Sequence, residues 1–157
     1  MTDDLDRLDW AILDELQKDA RITITALATK VGLSKTPCQN RVRRLEREGY
    51  ILGYTTLLDH HKVGKQHVAF VQVSLSDTRT RALEAFNDAV RAIPEVEQCH
   101  MIAANFDYLL KVRTADMTAY RAVLGEKINQ LPHVNQTSTF VVMEDVKDAG
   151  YGFGSHP

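Results

Sequence analysis

The run Leu27-Ala28-Thr29-Lys30-Val31-Gly32-Leu33-Ser34 has the grammar of a helix-turn-helix. Ala28 is small enough to let two helices approach, and Gly32, four residues on, supplies the turn. Ser34 is placed to cap the next helix, and Pro37 sits in its first turn, where a missing N–H costs nothing. That helix is expected to run to Arg47 or Glu48 and to stop at Gly49, a good residue for the position after a helix end.

The two sides of this third helix differ. At about 100° per residue, Cys38, Val42 and Leu45 fall within about 60° of one another and form the inner stripe. Thr36, Asn40, Arg43 and Arg47 fall on the opposite side, with Gln39 and Arg44 flanking them. Arg41 lies beside the inner stripe and suits packing or backbone contact. Asn, Gln and Arg are the side chains that pair bidentately with adenine and guanine edges. A helix of this kind fits the major groove with its N-terminal half nearest the bases. Ser34, Lys35 and Thr36, at the helix start, suit phosphate or base contact, because free N–H groups there attract phosphate.

Upstream, Leu5, Leu8, Ile12 and Leu16 repeat at helical steps, with Leu13 widening the stripe. Thr23 or Thr25 can cap the short second helix, whose apolar members are Leu27, Ala28 and Val31. Thr23-x-x-Ala26 is not a capping box, so that start signal is weak. Downstream, Ile51-Leu52-Gly53-Tyr54-Thr55 can add a short β-wing. Residues 55–66 hold no clear period and read as a hinge.

After residue 66 the pattern becomes strand, helix, strand, strand, helix, strand, with elements expected at 67–75, 80–93, 96–103, 107–113, 117–131 and 135–143. Ile93-Pro94-Glu95-Val96 recurs as Leu131-Pro132-His133-Val134, and both mark a helix end before a strand. A βαβ unit used twice gives a ferredoxin-like sandwich. Its helices cover one sheet face, and apolar members on the other call for a partner. Asp107, at a strand start, suits either the capping of backbone amides or the holding of a ligand's amino group. The chain thus reads as α+β: a winged helix-turn-helix at 1–54, a hinge at 55–66, a βαββαβ domain at 67–147 and a Gly-rich flexible tail at 148–157.

Charge is uneven along the chain. The net value of −2 over 157 residues gives no support to a polybasic coat. Yet residues 1–20 hold two basic against seven acidic side chains, and residues 30–47 hold six against one. The positive charge is concentrated on the helix shaped to enter a groove. Cys38 and Cys99 make no disulfide framework, and Cys38 reads as a small buried residue. The acidic N-terminus is the opposite of a secretory signal, and no stretch approaches the ~18–20 apolar residues of a membrane span. A cytoplasmic protein with no membrane partner is expected. No His-x-x-x-His or Cys-x-x-Cys spacing suggests a metal site. Phosphate loops and nucleophile elbows are absent too, so an enzyme reading has little to stand on.

Taken together, these motifs resemble the Lrp/AsnC family of transcriptional regulators. The likeness runs from Leu5 to Lys147. It includes Leu5-Asp6-Arg7-Leu8-Asp9, Val31-Gly32-Leu33-Ser34, Thr36-Pro37-Cys38 and Arg41-Val42-Arg43-Arg44-Leu45-Glu46. In the second half Phe106-Asp107-Tyr108-Leu109-Leu110-Lys111 and Val141-Val142-Met143-Glu144 look most like the leucine-responsive branch. The resemblance implies a βαββαβ (ACT-like) effector domain, dimers formed through the sheets and often built into octamers, and no cofactor but an amino-acid effector such as leucine or another small amino acid. It implies an effector site between domains, at positions matching Met101, Asp107, Met117, Phe140, Val141 and Val142, with Ala104 and Asn105 in the loop. The family usually has Gly in that loop. Ala104 resists positive φ, and Asn105 is expected to take the left-handed conformation instead. Lys35 stands where Pro is common, and His133 replaces a frequent Gly. The expected function is sequence-specific binding of double-stranded DNA under amino-acid control. The alternative is a ligand-independent architectural DNA-binding protein of the same fold.

Overall fold

The computed structural model describes residues 5–147, so the tail expected at 148–157 lies outside the described residues. The chain divides into two compact units, with the boundary between Leu57 and Leu58.

The first unit holds α1 (Arg7–Lys18), α2 (Ile24–Val31) and α3 (Lys35–Arg47). A capping box starts α1. Asp6 Oδ1 accepts the N–H groups of Leu8 and Asp9, each at 2.9 Å, and Asp9 Oδ2 accepts the Asp6 N–H at 3.1 Å. Thr23 Oγ1 caps α2 by accepting the Ala26 N–H at 3.2 Å. Gly32 ends that helix in the left-handed conformation, φ 76°. Ile12, Leu27, Ala28, Cys38, Val42 and Leu45 are buried together, so the inner stripe of α3 is the one its periodicity indicates.

Two local expectations fail here. Ser34 occupies the N-cap position of α3, but its hydroxyl makes no capping bond. Pro37 is the third residue of the helix and has no N–H, which removes a donor that such a cap uses. The wing expected at Ile51–Thr55 carries no strand either. Ile51 N–H instead donates to Leu45 O at 3.1 Å, and the Tyr54 hydroxyl donates to Glu46 Oε1 at 2.8 Å. A wing needs two paired strands, and the next strand in the chain starts only at His67.

The second unit holds β1 (His67–Leu75), α4 (Thr80–Arg91), β2 (Val96–Met101), β3 (Tyr108–Thr114), α5 (Met117–Val123) and β4 (Val134–Val141). The antiparallel sheet has the order β2-β3-β1-β4, as two interlocked βαβ units require. Ala69, Val71, Val73 and Leu75 alternate inward and pack with Phe86 and Val90 from α4, with Ile93 just beyond it, and with Tyr120 and Val123 from α5. Phe70, Gln72 and Ser74 therefore point to the face that these helices leave open. The expected helix at 117–131 is interrupted: α5 passes into a π-helical turn at Leu124–Ile128 containing Gly125, a weak α-helix former. The repeated Ile-Pro and Leu-Pro corners are equivalent. Val96 N–H donates to Ile93 O at 3.2 Å, and Val134 N–H to Leu131 O at 3.3 Å.

Candidate DNA-binding face and effector loop

The outer side of α3 is open. Lys35, Thr36, Asn40, Arg43 and Arg47 are exposed, Ser34 is exposed at the helix start, and Gln39 is half-buried. Among the described residues Lys35 and Arg43 have no ion-pair partner, while Arg47 lies 3.6 Å from the neighbouring Glu48 carboxylate.

Arg44 is differently placed. Its Nη2 lies 2.5 Å from Oδ2 of Asp9, a carboxylate that is 1% exposed. Arg41 Nη1 reaches Asp9 Oδ1 at 2.9 Å and Asp6 Oδ2 at 2.7 Å. Burial pushes the Asp9 carboxyl up, but hydrogen bonds from Arg44, Arg41 and the Asp6 amide outweigh it, so the net shift is below the usual carboxylate range. The Asp9 amide and the Arg41 guanidinium hold Asp6 below that range as well. Farther along α1, Lys18 and Lys30 bring Glu15 down to about 2. The acidic first segment and the basic helix, separate in sequence, neutralise each other in space. Asp6, Asp9 and the Arg41 pairing were not singled out from the sequence as a group. The signals available were the Asp-x-x-Asp spacing ahead of an apolar helix and the opposite charge of the two segments.

In the second unit the expected effector residues form two groups. Met101 pairs with Tyr108 at one end of the sheet, next to the loop that carries Ala104, Asn105 and Asp107. Asp107 N–H donates to Val73 O at 2.9 Å, and its Oδ2 accepts the Leu75 N–H at 2.7 Å. Its carboxylate therefore caps the end of β1. Phe140 and Val141 pair with Phe70 and Ala69, and Val142 N–H donates to Val68 O at 2.9 Å. Met117, just beyond β3, lies toward that same end, because Thr114 pairs with His67. Ala69 and Val73 are four residues apart, about 13 Å along a strand. One chain thus sets the two groups at opposite ends of its sheet. Asn105 does not take the left-handed conformation: among the described residues His133 is the one non-Gly position with positive φ, 63°.

Residues 5–51 match the winged helix-turn-helix DNA-binding family model, and residues 68–151 match the Lrp/AsnC ligand binding domain model. The chain belongs to the Lrp/AsnC family. A proline dehydrogenase transcriptional activator of Rhizobium radiobacter is 60% identical over 95% of this chain and 96% of its own length. The leucine-responsive regulatory protein of Escherichia coli (strain K12) is 51% identical over 93% of this chain and 89% of its own. Among solved structures, an AsnC family transcriptional regulator from Agrobacterium tumefaciens superposes with a TM-score of 0.87 at 34% identity, covering 97% of each chain. A transcriptional regulator of Neisseria meningitidis, solved as its L-Met complex, superposes with a TM-score of 0.85 at 32% identity, covering 92% of this chain and 93% of its own.

As an Lrp/AsnC protein the chain is a DNA-binding transcriptional regulator with an amino-acid-binding domain. These relatives are transcriptional regulators. Among the described residues no helix is long and apolar enough to cross a membrane, and no group of three or more His, Cys, Asp or Glu side chains could hold a metal ion.

Proposed function

We propose that this regulator acts in the cytoplasm as a homo-oligomer, a dimer or an octamer built from dimers, and reads double-stranded DNA through α3. Thr36, Gln39, Asn40 and Arg43 meet base edges, and Ser34, Lys35 and Arg47 meet phosphates. Arg44, which flanks the outer side, is a further candidate for phosphate contact, but its pairing with Asp9 competes with that role. The observation that carries this reading is the exposed outer face of α3, with Asn and Arg at major-groove spacing opposite a buried Cys38-Val42-Leu45 stripe.

The effector is an amino acid bound between two copies. Met101, Ala104, Asn105 and Asp107 from one copy meet Met117, Phe140, Val141 and Val142 from another. The separation of the two groups along β1 supports a shared site, since one sheet cannot fold them onto a single small ligand. Phe70, Leu109 and Phe140 on the open sheet face suit the contact between copies.

The name of the 60% identical relative, a proline dehydrogenase transcriptional activator, supports a gene of proline catabolism as the target and proline as one effector. A gel shift on the DNA upstream of a proline dehydrogenase gene, with and without each of a panel of amino acids, tests both parts. Selective binding that proline alters is the expected result. Selective binding indifferent to every amino acid would favour the architectural alternative. Arg43→Ala should weaken specific binding by roughly 1–3 kcal/mol and relax one operator position; unchanged selectivity would take Arg43 off the readout list.

A further inference from the structure

Of the five cations on α3, two face back toward α1. Arg41 and Arg44 converge on the buried carboxylate of Asp9, and Arg41 also meets Asp6. Both arginine side chains remain close to a third exposed, at 28% and 31%. They line an open groove of about 480 Å³ together with Asp6, Asp9, Pro37 and Asn40. Asn40 is one of the base-reading residues proposed above, so this groove borders the surface that meets DNA. The two arginines share that groove with Asn40.

Asp9 engages them firmly. A carboxylate that is 1% exposed cannot stay charged without partners. Its oxygens accept from Arg41, Arg44 and the Asp6 amide, and no water-facing alternative exists at that burial. Glu48 adds a weaker attraction, 3.9 Å from Arg44 Nη1. Phosphate would have to displace a buried carboxylate from Arg44, leaving that charge with Arg41 and the Asp6 amide.

We propose that Asp9 is a specificity-determining residue for DNA binding: by holding Arg41 and Arg44 it withholds them from phosphates and lowers sequence-independent affinity. This rests on α3 being the recognition helix. Sequence-independent binding is almost wholly phosphate neutralisation, with a salt slope of about 0.9 per phosphate contacted. Two withheld cations keep that slope lower by up to about 1.8 per protomer. Asn40 and Arg43, which lie outside the clasp, keep their base contacts, so the ratio of specific to non-specific affinity rises.

The test is binding of the full-length protein to a random-sequence duplex and to its own promoter fragment, each across a salt series. Asp9→Asn keeps the shape and one acceptor but loses the charge. It should bind the random duplex roughly tenfold or more tightly at 50 mM salt, with a slope steeper by about 1–2 per protomer. The promoter-to-random ratio should fall. Arg44→Gln in the otherwise unchanged protein should leave random-duplex affinity and slope as they are. If Asp9→Asn keeps the wild-type helix content yet binds the random duplex no tighter, Asp9 is only a structural counter-ion. If Arg44→Gln weakens random-duplex binding and lowers the slope by about 1, Arg44 already reaches phosphate and the proposal fails. Should Asp9→Asn not fold, that second variant still exposes the proposal to failure. Failure of the wild type to prefer any promoter fragment would instead overturn the recognition-helix reading itself.

Discussion

Among the described residues the helical unit buries six apolar side chains in its core, and the sheet unit buries fourteen. The difference shows in how each holds its working surface. In the small unit, packing alone fixes one stripe of α3, and an ionic clasp from Asp6 and Asp9, at the start of α1, holds Arg41 and Arg44 in the middle and last turn of α3. In the sheet unit the strands are fixed by packing on α4 and α5, and the expected effector residues are carried at the strand ends. The proposed DNA-reading surface is a single helix face. The proposed effector site is split between two ends of a sheet, so under that proposal it is completed by a second copy.

Truncating the centre of the larger core gives the largest effect. Phe86 is fully buried, with its ring centroid 4.3 Å from that of Tyr108. Phe86→Ala should cost the sheet unit about 3–5 kcal/mol, read by denaturant unfolding with a probe in each unit. A helical unit that unfolds in step with the weakened sheet unit would break the comparison, because it would make the two cores one cooperative block.

Asp107 separates capping from sensing. Asp107→Ala leaves the Leu75 N–H without its acceptor and should cost about 1–2 kcal/mol. Asp107→Asn still offers an oxygen to that N–H, so it should recover most of the stability. If the carboxylate also holds a ligand's amino group, Asp107→Asn should remain unresponsive to amino acids in analytical ultracentrifugation. A fully responsive Asp107→Asn would leave the residue with capping alone.

Acid acts on the smaller unit. The folded-state carboxyls of Asp6 and Asp9 lie below the usual carboxylate range, so their contribution is complete above that range and is lost as pH falls through the lowered values. The melting difference between wild type and Asp9→Asn should therefore be constant near neutrality and shrink in acid. A difference that persists unchanged to pH 2 would mean that the Asp9 charge contributes nothing to folding.

How much of this was legible depends on the range of the interaction. The inner stripe of α3, the strand–helix order of the second unit and the two Pro corners follow from local period and were readable. The family membership was readable from motifs such as Phe106-Asp107-Tyr108. The clasp was not, because Asp9 and Arg44 are thirty-five residues apart and no periodicity links them. The Ser34 cap failed for a reason that was in plain view: Pro37 fills the third helical position and brings no donor. The strand expected at Ile51–Thr55 did not form because a lone β-prone segment does not supply its own partner strand. The division of the effector residues between sheet ends needed the register Ala69–Val141 and Val73–Tyr108, which pattern alone does not give.

The two Pro corners carry the smallest and most pointed prediction. Both close with the same backbone hydrogen bond, yet Glu95 has ordinary φ while His133, the matching residue, sits at φ 63°. Its carbonyl accepts from Ser76 N–H at 2.8 Å and from the Ser76 hydroxyl at 3.2 Å, which ties the corner to the end of β1. A non-Gly residue there costs about 1–2 kcal/mol, although His is among the types that tolerate it better. Gly would remove that cost but adds about 0.5–1 kcal/mol of chain entropy in the unfolded state. His133→Gly should therefore raise stability slightly, by about 0.5 kcal/mol, whereas Glu95→Gly at the other corner should lower it, because it relieves no strain and removes the ion pair with Lys127. Equal losses at both sites in thermal unfolding would show that the left-handed corner at His133 carries no strain to release.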